Sequence, residues 1–79
     1  MNNLEVVVGG IYKHFKGNLY KVLYIGYDSE TTDKLVIYES LYDDHKVWVR
    51  PYDMFISKID KEKYPNIKQE YRFELIKND

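Results

Sequence analysis

The chain has no cysteine, only two prolines and only four glycines in 79 residues. Without cysteine there is no disulfide scaffold, no thiol nucleophile and no zinc or iron–sulfur site built on thiolates. So little proline and glycine, beside 44% hydrophobic and 32% charged residues, excludes collagen-like and disordered chains. An excess of one charge is missing too: 12 Lys+Arg stand against 13 Asp+Glu, a formal charge of −1. Dedicated phosphate-backbone binders carry a basic surplus, so nucleic acid is not the favoured partner. No apolar run approaches the roughly 18 residues of a membrane span, and Met1-Asn2-Asn3-Leu4-Glu5 has no basic leader-like start. These absences point to a cytoplasmic protein with no membrane partner and no cofactor. Residues 1–79 form one domain, too short for a second.

What is present is β-pattern. Val8 to Phe15 and Leu19 to Tyr27 are rich in β-branched and aromatic residues, and Gly17-Asn18 between them is a turn pair that tolerates positive φ. A two-residue turn there pairs Phe15 with Tyr20, Lys13 with Val22 and Ile11 with Tyr24. Ile11, Phe15, Tyr20, Val22 and Tyr24 then share the face expected to be core. Asp28 to Asp33 is a polar loop. Lys34 to Tyr42 is a second long strand with Val36, Tyr38, Ser40 and Tyr42 on one face, and Val47 to Arg50 a further strand ended by Pro51. Tyr52, Phe55, Ile56 and Ile59 fall at helical spacing, yet Phe55 to Ile59 also reads as a strand after a short 3₁₀ turn at 51–54, and the run of hairpins favours the second. Residues 60–70 are a charged loop. Tyr71 to Ile76 alternates, with Tyr71, Phe73 and Leu75 facing in. The fold class expected is all-β, a partly open barrel of five or six antiparallel strands, in which Phe15, Val22, Val36 and Phe73 are buried.

One motif misleads. Gly10-Ile11-Tyr12, eleven residues, then Tyr24-Ile25-Gly26 resembles the signature of the GIY-YIG endonucleases. That resemblance implies a metal-dependent nuclease, but it needs a helix bearing an arginine soon after the second triplet. Here Tyr27-Asp28-Ser29-Glu30-Thr31-Thr32 follows, with no arginine before Arg50. No catalytic residues are assigned on this basis.

A second resemblance spans most of the chain. Gly10-x-Tyr12-x-His14-Phe15-Lys16-Gly17-x-x-Tyr20-x-Val22, Ser29-Glu30-Thr31, Leu35-Val36-x-Tyr38, Leu41-Tyr42, Trp48-Val49-Arg50-Pro51 and Met54-Phe55 are together similar to the bacterial domain-of-unknown-function family numbered 1653. The resemblance implies an SH3-like barrel and no established activity. The chain departs from the family pattern at Asp28, where histidine is usual, and at Thr32, Asp43 and Lys46, where glycines are usual. The last two replacements mean that the 43–46 loop either avoids left-handed geometry or strains to reach it.

The candidate ligand-binding residues are Tyr12, His14, Lys16, Tyr38, Trp48 and Arg50. Tyr12, His14 and Lys16 share parity on one strand, and Trp48 and Arg50 on another. If closure brings the rows together around Tyr38, aromatic walls surround Lys16 and Arg50, and His14 adds a hydrogen bond or a proton. Each residue also has a plain structural reading: His14 pinned to a backbone carbonyl, Arg50 lying over Trp48 with its head on Asp53. Asp43-Asp44-His45 is a solvated loop that lacks a fourth metal ligand, and no metal site is assigned. The function expected is a small binding or interaction module for a small anion, an acidic peptide or a protein. Two alternatives come from other classes, a nucleic-acid-binding barrel and the GIY-YIG-like nuclease.

Overall fold

The computed structural model describes residues 5–78; Met1 to Leu4 and Asp79 lie outside it, and with them most of the non-basic N-terminal stretch. Five strands, β1 (Gly10–His14), β2 (Leu19–Tyr27), β3 (Lys34–Ser40), β4 (Val47–Pro51) and β5 (Phe73–Asn78), make one antiparallel sheet in the order β4-β3-β2-β1-β5. The pairings β1–β2, β2–β3 and β3–β4 are those the hairpin pattern predicts. β5 joins the free edge of β1, from Gly10 opposite Asn78 to His14 opposite Phe73. The sheet is open but strongly curled. β4 and β5 are its two edges, about 19 Å apart if it lay flat, yet the Arg50 guanidinium of β4 lies 5.8 Å from the Phe73 ring of β5.

The β1–β2 register corrects the sequence reading. Tyr12 faces Tyr20 and Lys13 faces Leu19. The connection is a three-residue loop, Phe15-Lys16-Gly17, closed by His14 and Asn18, with Gly17 at φ 106°. A turn followed by one left-handed residue is the usual three-residue hairpin, and glycine fits that position without a Cβ clash. The shift from a two-residue turn is odd, so it moves one strand's side chains to the other face. Tyr12 and His14, not Ile11 and Phe15, therefore lie on the concave side with Tyr20 and Val22. Phe15 is half-buried at the turn, its ring edge-on to Tyr64 at 4.9 Å, instead of central. Tyr24 is turned out to solvent by a bulge after Val22 that also brings Ile25 opposite Val36.

The core is Tyr12, Val22, Val36, Tyr38, Phe55 and Phe73, with Val22 and Val36 fully buried. Val22, Val36 and Phe73 stand where the alternation puts them, as do Tyr38 and buried Ser40. Leu75, expected to face in, is 40% exposed. Gly10 has no room for a side chain: a Cβ there would sit 2.8 Å from Leu75 Cδ1 and 3.0 Å from the Val7 carbonyl.

Residues 51–59 are the second correction. The turn after Pro51 is one turn of α-helix, α1 (Tyr52–Phe55), closed by the Ile56 amide on the Tyr52 carbonyl at 3.1 Å. Its period places Phe55 on the core, where its ring stacks on Phe73 at 4.1 Å. No strand forms over Phe55 to Ile59; a single bridge, Lys58 with Tyr71, is all that remains of it. Among the described residues no helix is long and apolar enough to cross a membrane. The 43–46 loop does reach left-handed geometry, with Asp43 at φ 50° and His45 at φ 53°, and Thr32 does so at φ 62°.

Candidate functional site

The concave face between β1 and β4 gathers most of the residues singled out in the sequence. Tyr38 pairs with Trp48 and Val36 with Arg50 across the β3–β4 ladder, so both β4 side chains point to the concave side. Arg50 Nε donates to the Tyr38 hydroxyl at 3.1 Å. Trp48 stands at the rim, 43% exposed, with the Lys46 ammonium 5.8 Å from its ring. From the other side comes His14, edge-on to Phe73 at 5.0 Å and stacked on Phe15 at 4.5 Å. Lys16 is exposed in the hairpin loop beside it, its ammonium 5.9 Å from the Phe15 ring. Tyr12 does not join them. It is buried at the other end of β1, edge-on to Phe55, and its hydroxyl accepts from the Val7 amide at 2.9 Å. Burial raises its phenol pKa, as expected of a core tyrosine.

His14 is held differently from either sequence reading. Its Nδ1 accepts from the Lys16 backbone amide at 3.1 Å, so the bond runs from an amide and not to a carbonyl. That bond fixes the neutral tautomer with the proton on Nε2. Burial, and then the positive charges of Arg72, Arg50 and Lys16, push its pKa down to about 4. His14 is therefore a neutral hydrogen-bond donor near pH 7, not a proton donor.

Three residues that the sequence did not single out for the site complete it. Arg72, just before β5, donates from Nε to the Ser57 hydroxyl at 3.2 Å. Tyr20 and Tyr42 share a hydroxyl–hydroxyl bond of 2.8 Å. Burial and that bond push the Tyr20 pKa up to about 12. Of the two hydroxyl hydrogens one is spent on the shared bond and the other is left to donate. Both tyrosines lie on the faces that alternation groups with the core, Tyr20 with Val22 and Tyr42 with Val36 and Tyr38; the three-residue loop between β1 and β2 is what brings His14 to the same side. Arg72 had no signal, because alternation along β5 places it opposite Phe73.

The two arginines are alike. Each is anchored through Nε on a hydroxyl, and among the described residues the planar fork of Nη groups is unspent. Among the described residues neither is within 4.0 Å of a carboxylate: the ion pairs are His45–Glu39, Lys46–Asp44 and Lys58–Glu70. Arg50 is thus not held by Asp53. An unpaired guanidinium beside aromatic rings binds carboxylate or phosphate bidentately.

The nuclease pattern lacks its helix. Residues 28–33 are a loop in which the Asp28 carboxylate accepts from the Glu30 and Thr31 amides, and these bonds lower its pKa.

Comparison with known proteins bears on the fold. A family model described as "Protein of unknown function (DUF1653)" matches residues 10–75. The crystal structure of a protein of that family from Bordetella bronchiseptica is similar over 90% of this chain and 88% of its own, with a TM-score of 0.74 and 23% identity. No curated protein matches.

Proposed function

This chain belongs to the DUF1653 family, and from the geometry of its concave face we propose that it is a small binding module for an anionic ligand, a small anion or the acidic side chain of a peptide. The observation that carries the reading is the pair of guanidinium groups, Arg50 and Arg72, each fixed through Nε and each without a carboxylate partner among the described residues. Both charges bear on His14. A carboxylate or phosphate between them would accept from the Nη forks and from His14 Nε2–H. Phe73, Tyr20, Tyr38 and Trp48 would exclude water and strengthen those bonds. The site is read as binding and not catalytic: it offers donors and fixed positive charge, while its one imidazole is neutral and engaged through Nδ1. Lack of cysteine agrees with a cytoplasmic setting.

Trp48 is the only tryptophan in the chain and stands at the rim, so its fluorescence reports occupancy directly. Titration with inorganic phosphate or an acidic hexapeptide should give a saturable change. Arg50→Ala should weaken it about 10- to 100-fold, the worth of a charge-assisted hydrogen bond. No change with either ligand would sink the proposal. Tighter binding of a single-stranded oligonucleotide, with steep salt dependence, would replace it with the nucleic-acid reading.

A further inference from the structure

The two edges of the sheet are not alike. β5 is blunted: its ladder to β1 passes from Lys77 opposite Ile11 to Leu75 opposite Tyr12, so Ile76 is an extra, bulged residue on that edge. β4 pairs with β3 in unbroken register, from Val47 opposite Glu39 to Pro51 opposite Leu35. The Ser40 amide donates to the Lys46 carbonyl at 3.0 Å, which makes Ser40 and Lys46 a hydrogen-bonded pair. Alternation along the ladder then turns the backbone groups of Trp48 and Arg50 towards β3 and those of Val47, Val49 and Pro51 outwards. Pro51, which has no N–H, thus takes a position where β3 loses nothing by it. Among the described residues no hydrogen bond reaches the outward amides and carbonyls of Val47 and Val49. Val47, Trp48 and Val49 are 53%, 43% and 59% exposed, three consecutive large apolar residues on an open edge. Such a run invites a further strand.

The charge of the edge selects which strand. Lys46, Trp48 and Arg50 share the concave side, and no acidic residue lies between Lys46 and Pro51. Lys46 is only loosely paired, with Asp44 at 3.9 Å, and Arg50 has no carboxylate partner among the described residues. The convex side is different: Glu39 stands there opposite Val47, 3.5 Å from His45. A second copy of β4, laid antiparallel, would bring two more cations to the concave side. An incoming strand with acids on that side and apolar residues on the other meets both sides of the edge.

We propose that β4 is a docking edge for an extended acidic peptide, which adds to the sheet as a further strand. Its acidic side chains lie on the concave side against Arg50 and Lys46, and its apolar ones on the convex side beside Val47 and Val49. Main-chain bonds to Val47 and Val49 supply affinity, and the alternation of side chains supplies selectivity. The proposal rests on the anionic reading of the concave face and gives that ligand the form of a strand.

The test is an NMR titration of the ¹⁵N-labelled protein with acetyl-Glu-Val-Thr-Val-Glu-amide, whose valines fall opposite Val49 and Val47 and whose glutamates fall opposite Arg50 and Lys46. On saturation, exchange of the Val47 and Val49 amides with water should slow. The amides of Trp48 and Arg50, already turned to β3, should not change. The permuted acetyl-Glu-Glu-Thr-Val-Val-amide, and the parent peptide N-methylated at both valines, should each bind about tenfold more weakly, the worth of two hydrogen bonds. Val49→Pro removes an outward N–H without touching the β3 ladder. It should lower affinity for the parent peptide several-fold and leave the binding of inorganic phosphate unchanged. Equal affinity for all these peptides, or slowed exchange at neither valine, would overturn the docking edge. Phosphate binding retained beside that result would leave the anionic reading standing, and phosphate binding absent would take both. Slowed exchange at both valines without peptide, growing with protein concentration, would give the edge to a second copy and overturn the proposal.

Discussion

Two concave regions meet at Phe73, and they differ in charge and in origin. One is basic, with Arg50, Arg72 and Lys16 around a neutral His14. The other is acidic, with Glu5, Glu70 and Glu74 around Tyr12 and Tyr71. A net charge of −1 conceals both. Near-neutrality of a chain therefore says nothing about local fields, which depend on which charges the fold collects. The basic region is built on paired strands, where parity fixes direction. The acidic region draws on the N-terminal segment and residues 69–75, which no hairpin pattern relates.

The comparison breaks most completely at the residue the two regions share. Phe73→Ala removes a ring that is 6% exposed and stacked on Phe55. It should cost about 3–5 kcal/mol in chemical denaturation, comparable with the whole stability of a domain this small. A loss below about 1 kcal/mol would mean that Phe73 is not a core residue.

Crossed variants sharpen the comparison. Arg50→Ala should weaken anions about 10- to 100-fold while costing about 1–3 kcal/mol of stability, chiefly the hydrogen bond to the hydroxyl of the buried Tyr38. Glu70→Gln/Glu74→Gln should leave anion binding unchanged. If the glutamate variant weakened anions as much as Arg50→Ala does, the two regions would be one site.

How much of this could be read from sequence depends on the kind of inference. Trp48 and Arg50 share a face by parity within one strand, which no register error can alter. Val36, Tyr38 and Ser40 are buried together for the same reason. The relation between β1 and β2 was not legible, because Gly17-Asn18 fits a two-residue turn and a three-residue loop equally well. One wrong loop length put Ile11 and Phe15 in the core and took His14 and Tyr12 out of it. Tyr12 then failed as a groove wall for a second reason: it lies on the correct face but two residues from His14, on the acidic side of Phe73. Arg72 and the glutamates depend on how residues 56–72 cross the sheet end, which local pattern does not encode.

A pH effect separates the two regions more gently. The folded pKa of His14 is about 4 against 6.5 for the free side chain. The unfolded state then binds the proton first, so this contribution is complete above about pH 6.5 and is lost as pH falls towards 4. In His14→Gln that loss between pH 6.5 and 4 should shrink, as read by urea midpoints. An unchanged pH profile in the variant would assign the effect to other groups.

The smallest effect expected lies away from both regions. Thr32 holds φ 62°, where a β-branched residue is strained. Thr32→Gly should raise stability by about 0.5–1 kcal/mol, the relief of that strain less the added freedom of the unfolded chain. A destabilised variant would mean that the threonine side chain contributes more than its backbone costs.

The convergence of Arg50, Arg72 and Lys16 on a half-buried imidazole is tested most directly by the titration of His14 itself. Imidazole nitrogen shifts should be followed by NMR against pH, with His45→Gln used to assign the second histidine. The account predicts that His14 titrates near pH 4 with the proton on Nε2, moves upward in Arg50→Ala, and moves upward again in wild type when phosphate is bound. A His14 that titrates near 6.5 and is indifferent to both Arg50 and phosphate would contradict it.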